Sequence, residues 1–356
     1  MKTTTQIHTG LFTRYSENPI LSPSNIQPSR EDLIVECLLN PGVFTYRGKT
    51  GLLLRVAERP LQGPHAVSFP IMDKSEGIRI VSISKNDPQL NMTDPRVINY
   101  KGEDYLTTMS YLLPVFSADG IHFEYRSEYK PLYGNNEYES YGIEDCRVSQ
   151  IGDEYLLTYT AVSPNGVGVG LKITKDWKNY EDYGLIFPPH NKDCAIFEEK
   201  VNGYYYAFHR PSSLEIGGNY LWISRSPDLK YWGKHTCIAR TRAGKFDSNR
   251  LGVGCAPIRT GKGWLAIYHG ATEENRYCLG AMLLDLNDPA KVLARSQEPI
   301  MEPEMPYELT GFFSDVIFTN GHIVEGDNIR MYYGAADKVI CAAKASVIQI
   351  LASLNV

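Results

Sequence analysis

A short two-strand unit recurs along the chain and restricts the fold more than any other feature of the sequence. Each copy opens with a polar or Pro/Gly-rich segment, continues as an apolar strand, turns, and returns as an aromatic strand. Six copies are present, and they begin near Asn40, Asp94, Glu144, Lys192, Gly254 and Phe313. Their spacing of roughly fifty residues is typical of the four-stranded blades of a β-propeller. The chain is therefore predicted to be all-β.

The turns within these copies favour the same fold. They carry KG, GD, NG, GKG and EGDN between alternating runs, and such turns are typical of β-hairpins. Helical periodicity is confined to a weak stretch near the C-terminus. In a propeller, the starts of successive blades meet at a central channel, so polar residues that are distant in the sequence come together there. The hairpins alone leave the number of blades open between five and six.

Length and composition narrow the class of protein. The 356 residues would suit two domains, but a large all-β fold can run this long as one unit, so we expect a single catalytic domain over 1–356. The formal net charge is −5 and no basic stretch occurs, so no nucleic-acid partner is expected. No apolar run reaches membrane-spanning length, so no membrane partner is expected either.

The N-terminal stretch and the cysteines indicate the compartment. The first residues, MKTTTQIHTGLFTRYSENP, lack the pattern of a secretory signal. The seven cysteines include no CxxC pair, which is typical of reduced, mostly buried thiols. We therefore expect a cytoplasmic protein, either a monomer or a homodimer.

Several familiar catalytic signatures are absent from the sequence. The glycines of GVGVGLK lead into a strand, whereas a dinucleotide fingerprint opens a helix. The stretch GVFTYRGKT has the wrong spacing for a phosphate-binding loop and no helix follows it. There is no GxSxG nucleophile motif, and the eight histidines show no HExxH or paired metal spacing. We expect neither a metal nor an organic cofactor.

Acidic and basic residues lie instead at the starts and ends of the hairpin strands. The set comprises Glu144, Asp145, Arg147, Lys192, Asp193, His209, Arg210, Arg250, His269 and Asp337. Each of these alone is also explained by a strand cap, a turn or an ion pair. Together they supply a carboxylic acid that can protonate a glycosidic oxygen and cations that can bind an inorganic oxyanion. Such a combination indicates phosphorolysis, whereas inverting hydrolysis needs a second carboxylate to activate water.

At these residues the chain resembles glycoside hydrolase family 130, the inverting β-mannoside phosphorylases and their hydrolase relatives. The resemblance covers nearly the whole chain. It rests on LNPGVF, GIEDCRV with YLLTYTA, KDCAIF with HRP, SPDLKYWG, GVGCAPIRTGKGWLAIYHGA, LLDLNDP and YYGAAD. It implies a five-bladed β-propeller with the active site in its central channel. The hairpin at Asp94 then becomes an elaboration of the early part of the chain.

The resemblance also implies roles for individual residues. Asp145 matches the general acid, whose proton is thought in the family to pass through the mannosyl 3-hydroxyl. Glu144 and Arg147 would orient this acid or the sugar. The positions expected to bind the mannoside are Asn40, Arg55, Glu144, Arg147, Asp193 and Asp337. The positions expected to bind phosphate are Lys192, Arg210, Arg250, His269 and Tyr277.

Two departures from the family pattern bear on the reaction. EDCR replaces the usual EDPR, which alters the start of a strand more than the chemistry. FEE replaces the usual FP and places Glu198 and Glu199 after the KD motif, where a glutamate could serve a hydrolase as base. Phosphorolysis remains the favoured interpretation, since the cations are retained. The alternatives are an inverting β-mannosidase and a non-catalytic propeller that binds glycans.

The long insertion between Arg55 and Asp145 bears on the substrate. It resembles that of members acting on β-1,2-linked mannobiose and mannooligosaccharides, with a β-1,4-mannoside phosphorylase as the alternative. The expected products are α-mannose 1-phosphate and a shortened sugar. Aromatic residues in loops, such as Tyr111, Tyr133 and Tyr138, are candidates for the subsite that holds the leaving sugar.

Overall fold

The structure is a computed structural model that describes residues 10–73, 75–94, 96–212 and 216–356. Over these ranges strands are the dominant regular structure and helices are few and short, so the predicted all-β class is confirmed. The helical segments are two 3-10 turns, Pro23–Asn25 and Glu137–Glu139, and two short helices, α1 (Pro306–Leu309) and α2 (Val347–Ser353). Helix α2 coincides with the weak helical periodicity near the C-terminus. None of the helices in the described ranges has the length and apolarity needed to cross a bilayer.

The strands are short and regular, as the hairpin pattern predicts. In chain order they are β1 (Thr13–Arg14), β2 (Leu33–Tyr46), β3 (Lys49–Pro60), β4 (Ala66–Asp73), β5 (Gly77–Ser84), β6 (Leu90–Asp94), β7 (Val97–Tyr100), β8 (Glu103–Leu106), β9 (Met109–Ser117), β10 (Glu124–Tyr125), β11 (Ile143–Ile151), β12 (Glu154–Ser163), β13 (Gly166–Thr174), β14 (Glu181–Phe187), β15 (Asn191–Ile196), β16 (Tyr205–Pro211), β17 (Leu221–Ser226), β18 (Gly233–Ala239), β19 (Arg250–Val253), β20 (Ile258–Thr260), β21 (Gly263–Ala271), β22 (Tyr277–Leu284), β23 (Val292–Arg295), β24 (Ile317–Glu325), β25 (Asn328–Ala335) and β26 (Val339–Ser346).

These strands form five units of four antiparallel strands each. Unit 1 is β2-β3-β9-β10, unit 2 is β11-β12-β13-β14, and unit 3 is β15-β16-β17-β18. Unit 4 is β19-β21-β22-β23, with β20 also paired to β21. Unit 5 is β24-β25-β26-β1, so its outermost strand comes from the N-terminal part of the chain. A single parallel pairing, between Gly42 and Asn320, joins the first strands of units 1 and 5.

The turns between the paired strands follow from local chemistry. Lys101–Gly102 and Asn202–Gly203 both have two consecutive residues with positive φ, at 56° and 83° and at 51° and 82°. A two-residue turn with positive φ at both positions matches the twist of the flanking strands, and glycine adopts it without steric cost. The predicted KG and NG turns therefore occur where the sequence places them.

Hydrophobic clusters fill the spaces between consecutive units. Five clusters each contain side chains of two neighbouring units. One of the five lies between unit 5 and unit 1. Representative pairs within the clusters are Leu53 with Leu157, Leu171 with Ala207, Phe208 with Met282, Ile267 with Met331, and Tyr332 with Leu54. The packing of the units thus forms a closed cycle.

A separate lobe, residues 66–106, is inserted between the second and third strands of unit 1. It consists of the β4-β5 hairpin and the β6-β7-β8 sheet, and it has its own small core around Val67, Phe69, Ile83 and Ile98. The hairpin predicted near Asp94 forms β7 and β8 of this lobe and lies outside the five units.

Candidate active site

The first strands of three units each carry an irregularity near their start. The register shifts between Leu39 and Gly42 in β2, between Glu144 and Arg147 in β11, and between Lys192 and Ala195 in β15. A β-bulge bends a strand and changes the direction in which its side chains point. In β11 and β15 the bulged residues Asp145 and Asp193 have positive φ, 49° and 53°. The bulges therefore decide which polar side chains reach the space between the units.

Most of the predicted site residues line one cavity of about 320 Å³ at this position. All except Arg147 and His209 contribute to its wall, namely Asn40, Arg55, Glu144, Asp145, Lys192, Asp193, Arg210, Arg250, His269, Tyr277 and Asp337. His209 is buried beside Asn191 and stacks on Phe187 instead. The lining residues come from all five units, and from sequence positions almost 300 residues apart. The structure brings these residues together at one cavity, and their individual roles remain predictions.

Asp145 lies at the centre of a network of hydrogen bonds. Its Oδ1 accepts from Asn40 Nδ2 at 3.0 Å and from Arg55 Nη1 at 2.8 Å. Arg55 Nη2 donates to Glu144 Oε1 at 2.7 Å, so one guanidinium holds both carboxylates. Burial alone would raise the pKa of Asp145, but the positive charges of Arg55 and Arg147 outweigh burial and lower it. Asp145 is therefore a carboxylate in the ligand-free protein.

Arg147 does not line the cavity, so its expected role in binding the sugar is corrected, and orienting the acid is the alternative that its contacts fit. Its side chain is 1% exposed. The guanidinium donates to the carbonyl oxygens of Asp145, Val253 and Gly254, and to Asp193 Oδ1 at 3.1 Å. The bulge in β11 turns Arg147 into the interior between units 2 and 4. Arg147 therefore positions the backbone of the acid and does not present a group to a ligand.

Asp193 is also held by protein groups on both of its oxygens. Oδ1 accepts from Arg147, while Oδ2 accepts from Arg210 Nε at 2.6 Å and lies 3.3 Å from His269 Nε2. Burial opposes ionisation, but the charges of Arg210, Arg147 and His269 lower the pKa of Asp193 far below its usual range. Because protein groups already contact both of its oxygens, the Asp193 carboxylate anchors the cations and is poorly placed to accept hydrogen bonds from a sugar.

The cations form the opposite half of the cavity. Burial and the neighbouring charge of Arg210 lower the pKa of Lys192. Arg250 Nη1 donates to Tyr277 Oη at 3.1 Å, which fixes both side chains. Arg250 Nε is buried and has no hydrogen-bond partner within the described part of the chain. Buried donors are almost always satisfied in proteins, so this N–H fits an oxyanion that would satisfy it.

Asp337 lies near the carboxylates of Asp145 and Glu144, and its pKa is higher than usual for an aspartate. Burial and the nearby carboxylates raise its pKa to about 6, despite the charge of Arg55. The folded state therefore binds more protons than the unfolded state between pH 4 and pH 6, and the free energy of unfolding should fall as pH rises through about 6.

Asp337→Asn is expected to remove much of this fall, because an amide does not ionise. Chemical unfolding of the wild type and the variant at about pH 4 and about pH 8 measures the effect. The variant should gain stability relative to wild type only at the higher pH. An equal difference at both pH values would show that the carboxylate of Asp337 is not destabilised by its surroundings.

Several residues of the cavity were not predicted. Phe318 stacks on His269 with ring centroids 4.1 Å apart, and Phe312, Phe313 and Arg96 line the wall. Arg96 comes from the inserted lobe and lies over the ring of Phe313 at 5.3 Å. The segment TDPRV that contains Arg96 is part of the predicted insertion, but no motif indicated that this arginine would reach the site.

The other predicted candidates lie elsewhere. Glu198 and Glu199 line a second cavity of about 210 Å³ together with Cys255 and His322. Lys192 lies near the start of β15 and both glutamates lie beyond its end, so the extended chain between Lys192 and Glu198 spans about 20 Å. Tyr111 is 2% exposed and stacks on Tyr133, while Tyr138 lies on the surface, and none of these tyrosines lines the first cavity. The structure thus does not support these tyrosines as the leaving-sugar subsite.

All seven cysteines are free thiols, and six of them are buried. The described residues contain no group of three or more His, Cys, Asp or Glu side chains arranged to hold a metal ion.

Comparison with known proteins places these features in a family. Residues 115–355 match the model of glycoside hydrolase family 130, described as beta-1,4-mannooligosaccharide phosphorylase. The beta-1,2-mannobiose phosphorylase of Listeria innocua is 47% identical over 350 residues, which cover 96% of this chain and 98% of that one. The 1,2-beta-oligomannan phosphorylase of Thermoanaerobacter sp. is 39% identical, over 67% of this chain and 78% of that one.

Structural similarity agrees with the sequences. The solved structure of the Listeria innocua enzyme in complex with beta-1,2-mannobiose superposes with a TM-score of 0.93, covering 97% of this chain and 99% of that one. The predicted resemblance and the predicted class, a glycoside phosphorylase, are both confirmed by these relatives. The chain belongs to glycoside hydrolase family 130.

Proposed function

We propose that the protein catalyses the inverting phosphorolysis of β-1,2-mannobiose and short β-1,2-mannooligosaccharides. The products are α-mannose 1-phosphate and a sugar shortened by one mannose. The observation that carries this proposal is the cavity in which Asp145 faces a set of cations that includes a buried, unsatisfied donor, Arg250 Nε. An acid next to an oxyanion site is what phosphorolysis requires.

In the proposed reaction, phosphate binds among Lys192, Arg210, Arg250, His269 and Tyr277. A phosphate oxygen attacks the anomeric carbon from the face opposite the leaving sugar, forming a C–O bond as the glycosidic bond breaks. Asp145 supplies the proton that the leaving oxygen takes up, either directly or through a mannosyl hydroxyl. The cations hold the nucleophile in line and stabilise its charge. No metal or organic cofactor takes part.

Phosphate binding also explains how Asp145 can become an acid. In the free protein its carboxylate is ionised because Arg55 and Arg147 outweigh the effect of burial. A bound phosphate neutralises part of the positive charge nearby, and a negative charge raises the pKa of a neighbouring carboxylate. Phosphate and mannoside together thus favour the protonated form of Asp145 that the reaction needs.

The β-1,2 linkage is supported by the activities for which the two relatives are named and by the nearly full-length similarity to the first. The family description names β-1,4-linked substrates, so a β-1,4-mannoside phosphorylase is the second candidate. An inverting β-mannosidase is less well supported, because Glu198 and Glu199 line a different cavity from Asp145. A non-catalytic glycan-binding protein would not need an acid opposite an oxyanion site.

We further propose that the five units are the blades of one five-bladed β-propeller, a single domain with this cavity in its central channel. The closed cycle of hydrophobic clusters and the meeting of residues from all five units support this arrangement. We place the protein in the cytoplasm, where phosphate is available and thiols stay reduced, a setting that suits seven free cysteines. Its proposed partners are small molecules, and self-association would be as a homodimer.

The deciding experiment incubates the protein with β-1,2-mannobiose, with and without inorganic phosphate, and measures mannose 1-phosphate and free mannose. Phosphate-dependent mannose 1-phosphate with the α configuration supports the proposal. Equal release of free mannose in both incubations identifies a mannosidase. In parallel incubations, turnover of β-1,4-mannobiose without turnover of β-1,2-mannobiose identifies a β-1,4-mannoside phosphorylase.

Lys192→Met should weaken phosphate binding specifically. Loss of one charge-assisted hydrogen bond is expected to raise the KM for phosphate by about 10- to 100-fold, while the KM for the mannoside changes little. Initial rates measured over a range of phosphate concentrations test this. Lys200→Met is the matched control, since Lys200 is exposed in the same unit and lies over the ring of Tyr205. A rise in the mannoside KM alone would remove Lys192 from the phosphate site.

A further inference from the structure

The guanidinium of Arg55 makes a hydrogen bond with each of its three nitrogens. Nη1 donates to Asp145 and Nη2 donates to Glu144, both of which belong to unit 2. Nε donates within unit 1, to Oγ of Ser110 at 3.0 Å. A guanidinium is planar, so bonds from all three nitrogens fix its position and also the orientation of its plane.

Ser110 lies beside Arg55 in the sheet of unit 1. It is the second residue of β9 and pairs with Ala57 of β3, two residues beyond Arg55. Alternate residues of a strand share a face, so Ser110 and Arg55 are diagonal neighbours on one face of this sheet. Ser110 is 2% exposed and does not line the cavity. Its hydroxyl therefore acts on a ligand only through Arg55.

The backbone of Ser110 also touches the segment that leads to the acid. Ser110 forms an isolated β-bridge with Gly142, which has a φ of 109°. A Cβ atom on Gly142 would lie 2.5 Å from the carbonyl oxygen of Ser110, so only glycine permits this approach. Gly142 precedes Glu144 by two residues. One residue of unit 1 thus contacts both the arginine and the chain that carries the two carboxylates.

The carboxylates need such an anchor because they lie on a bulge. The register of β11 shifts between Glu144 and Arg147, and Asp145 has a positive φ. A side chain on a bulge is placed as precisely as the groups that hold it. Without an acceptor for Nε, the Arg55 guanidinium is free to turn about its Cδ–Nε bond, and the bonds to Asp145 and Glu144 turn with it.

We propose that Ser110 is a positioning residue for the general acid. Its hydroxyl oxygen holds the guanidinium of Arg55, and Arg55 in turn holds Asp145 in the geometry for proton transfer. The role of Asp145 as the acid rests on the proposed function, whereas the placement of Arg55 by Ser110 does not.

Titration of Asp145 tests this placement without reference to activity. Burial would raise the pKa of Asp145, but the charges of Arg55 and Arg147 lower it. Ser110→Ala removes the acceptor for Nε, so the charge of Arg55 should act less on Asp145 and the pKa of Asp145 should rise. NMR of the carboxyl carbons in aspartate-labelled protein measures the change, and Asp145→Asn identifies the signal.

Ser117→Ala is the matched control for this titration. Ser117 is also 2% exposed and lies at the other end of β9, where its hydroxyl donates to Asp119. Its replacement removes a buried hydroxyl from the same strand and should leave the pKa of Asp145 at the wild-type value. An unchanged pKa in Ser110→Ala as well would overturn the proposal.

Kinetics provide the second readout. In Ser110→Ala, kcat/KM for β-1,2-mannobiose should fall by about 10- to 100-fold, the effect of losing a hydrogen bond to a charged group, while the KM for phosphate stays at the wild-type value. The loss should be smaller with 2,4-dinitrophenyl β-mannoside, whose leaving group needs no proton. Ser110→Cys, in which the sulfur is a weak acceptor, should lose less than Ser110→Ala and serves as the test if that variant does not fold.

The outcomes separate this proposal from the proposed function. Wild-type kcat/KM in both Ser110 variants, or equal losses with the two substrates, would overturn the assignment of Ser110 to the acid. Wild-type protein that forms no mannose 1-phosphate would instead refute the proposed function, and the titration of Asp145 would still decide whether Ser110 places Arg55.

Discussion

Asp145→Asn is expected to lower kcat/KM for phosphorolysis of β-1,2-mannobiose by about 10²- to 10⁴-fold, the usual contribution of a general acid. The amide keeps the size of the carboxyl and can still accept from Asn40 and Arg55 through its oxygen. The fold and the phosphate site should therefore remain intact. Initial rates with sub-saturating mannobiose and saturating phosphate measure the loss.

The nature of the leaving group separates loss of the acid from general damage. A β-mannoside with a 2,4-dinitrophenolate leaving group needs no proton, so Asp145→Asn should cost far less with this substrate than with mannobiose. Asp153→Asn, at an exposed position of the same unit, is the control and should match wild type. Equal losses with both substrates would contradict the assignment of Asp145 as the acid.

Arg147→Met is expected to have the largest effect on stability, lowering the free energy of unfolding by about 3–5 kcal/mol. The substitution keeps an apolar chain of similar length but leaves three backbone carbonyls and Asp193 Oδ1 without their donor. Removing one member of a buried ionic network leaves the other charge uncompensated, which costs more than the pair itself contributes. Denaturant unfolding at neutral pH measures the change.

The matched control for this substitution is Arg259→Met. Arg259 pairs with Glu199 at 3.4 Å, and both side chains are more than half exposed, so its loss should change stability by less than about 1 kcal/mol. Arg147→Lys should rescue only part of the loss, because an ammonium cannot reproduce the planar set of donors. A loss for Arg147→Met no larger than that for Arg259→Met would show that Arg147 does not organise the site.

The parts of the fold that sequence could predict are those set by short-range chemistry. Turns such as Asn202–Gly203 depend on two residues, and the alternating strands around them depend on the burial of one face. The convergence of Asp145 and Lys192 was also predictable, because each lies at the start of a copy of the repeated unit. Repetition converts positions along the sequence into positions in space.

The errors arise where that regularity is broken. Arg147 was expected to orient the acid or the sugar, but the bulge between Glu144 and Arg147 turns it into the interior, where only the first of these roles is open to it. Glu198 was considered as a base because it follows the motif that contains Lys192, but Lys192 lies near the start of β15 and Glu198 lies beyond its end, at a different cavity. Arg96 and Phe313 were missed because their meeting depends on an insertion and a loop more than 200 residues apart.

The pairing of β1 with β26 has a consequence for how the protein is made. Thr13 and Arg14 pair with Lys344 and Ala343, so an early segment completes a sheet whose other strands are synthesised about 300 residues later. At about 5–20 residues per second, β1 must remain unpaired for roughly 15–65 s before β26 has been made. Units 2 to 4 can pack on one another during this time, but the cycle of packing closes only once β26 is available. Asn40 belongs to unit 1 and Asp337 to unit 5, and these two units meet where the cycle of packing closes. The cavity that both residues line is therefore assembled in the last step of folding.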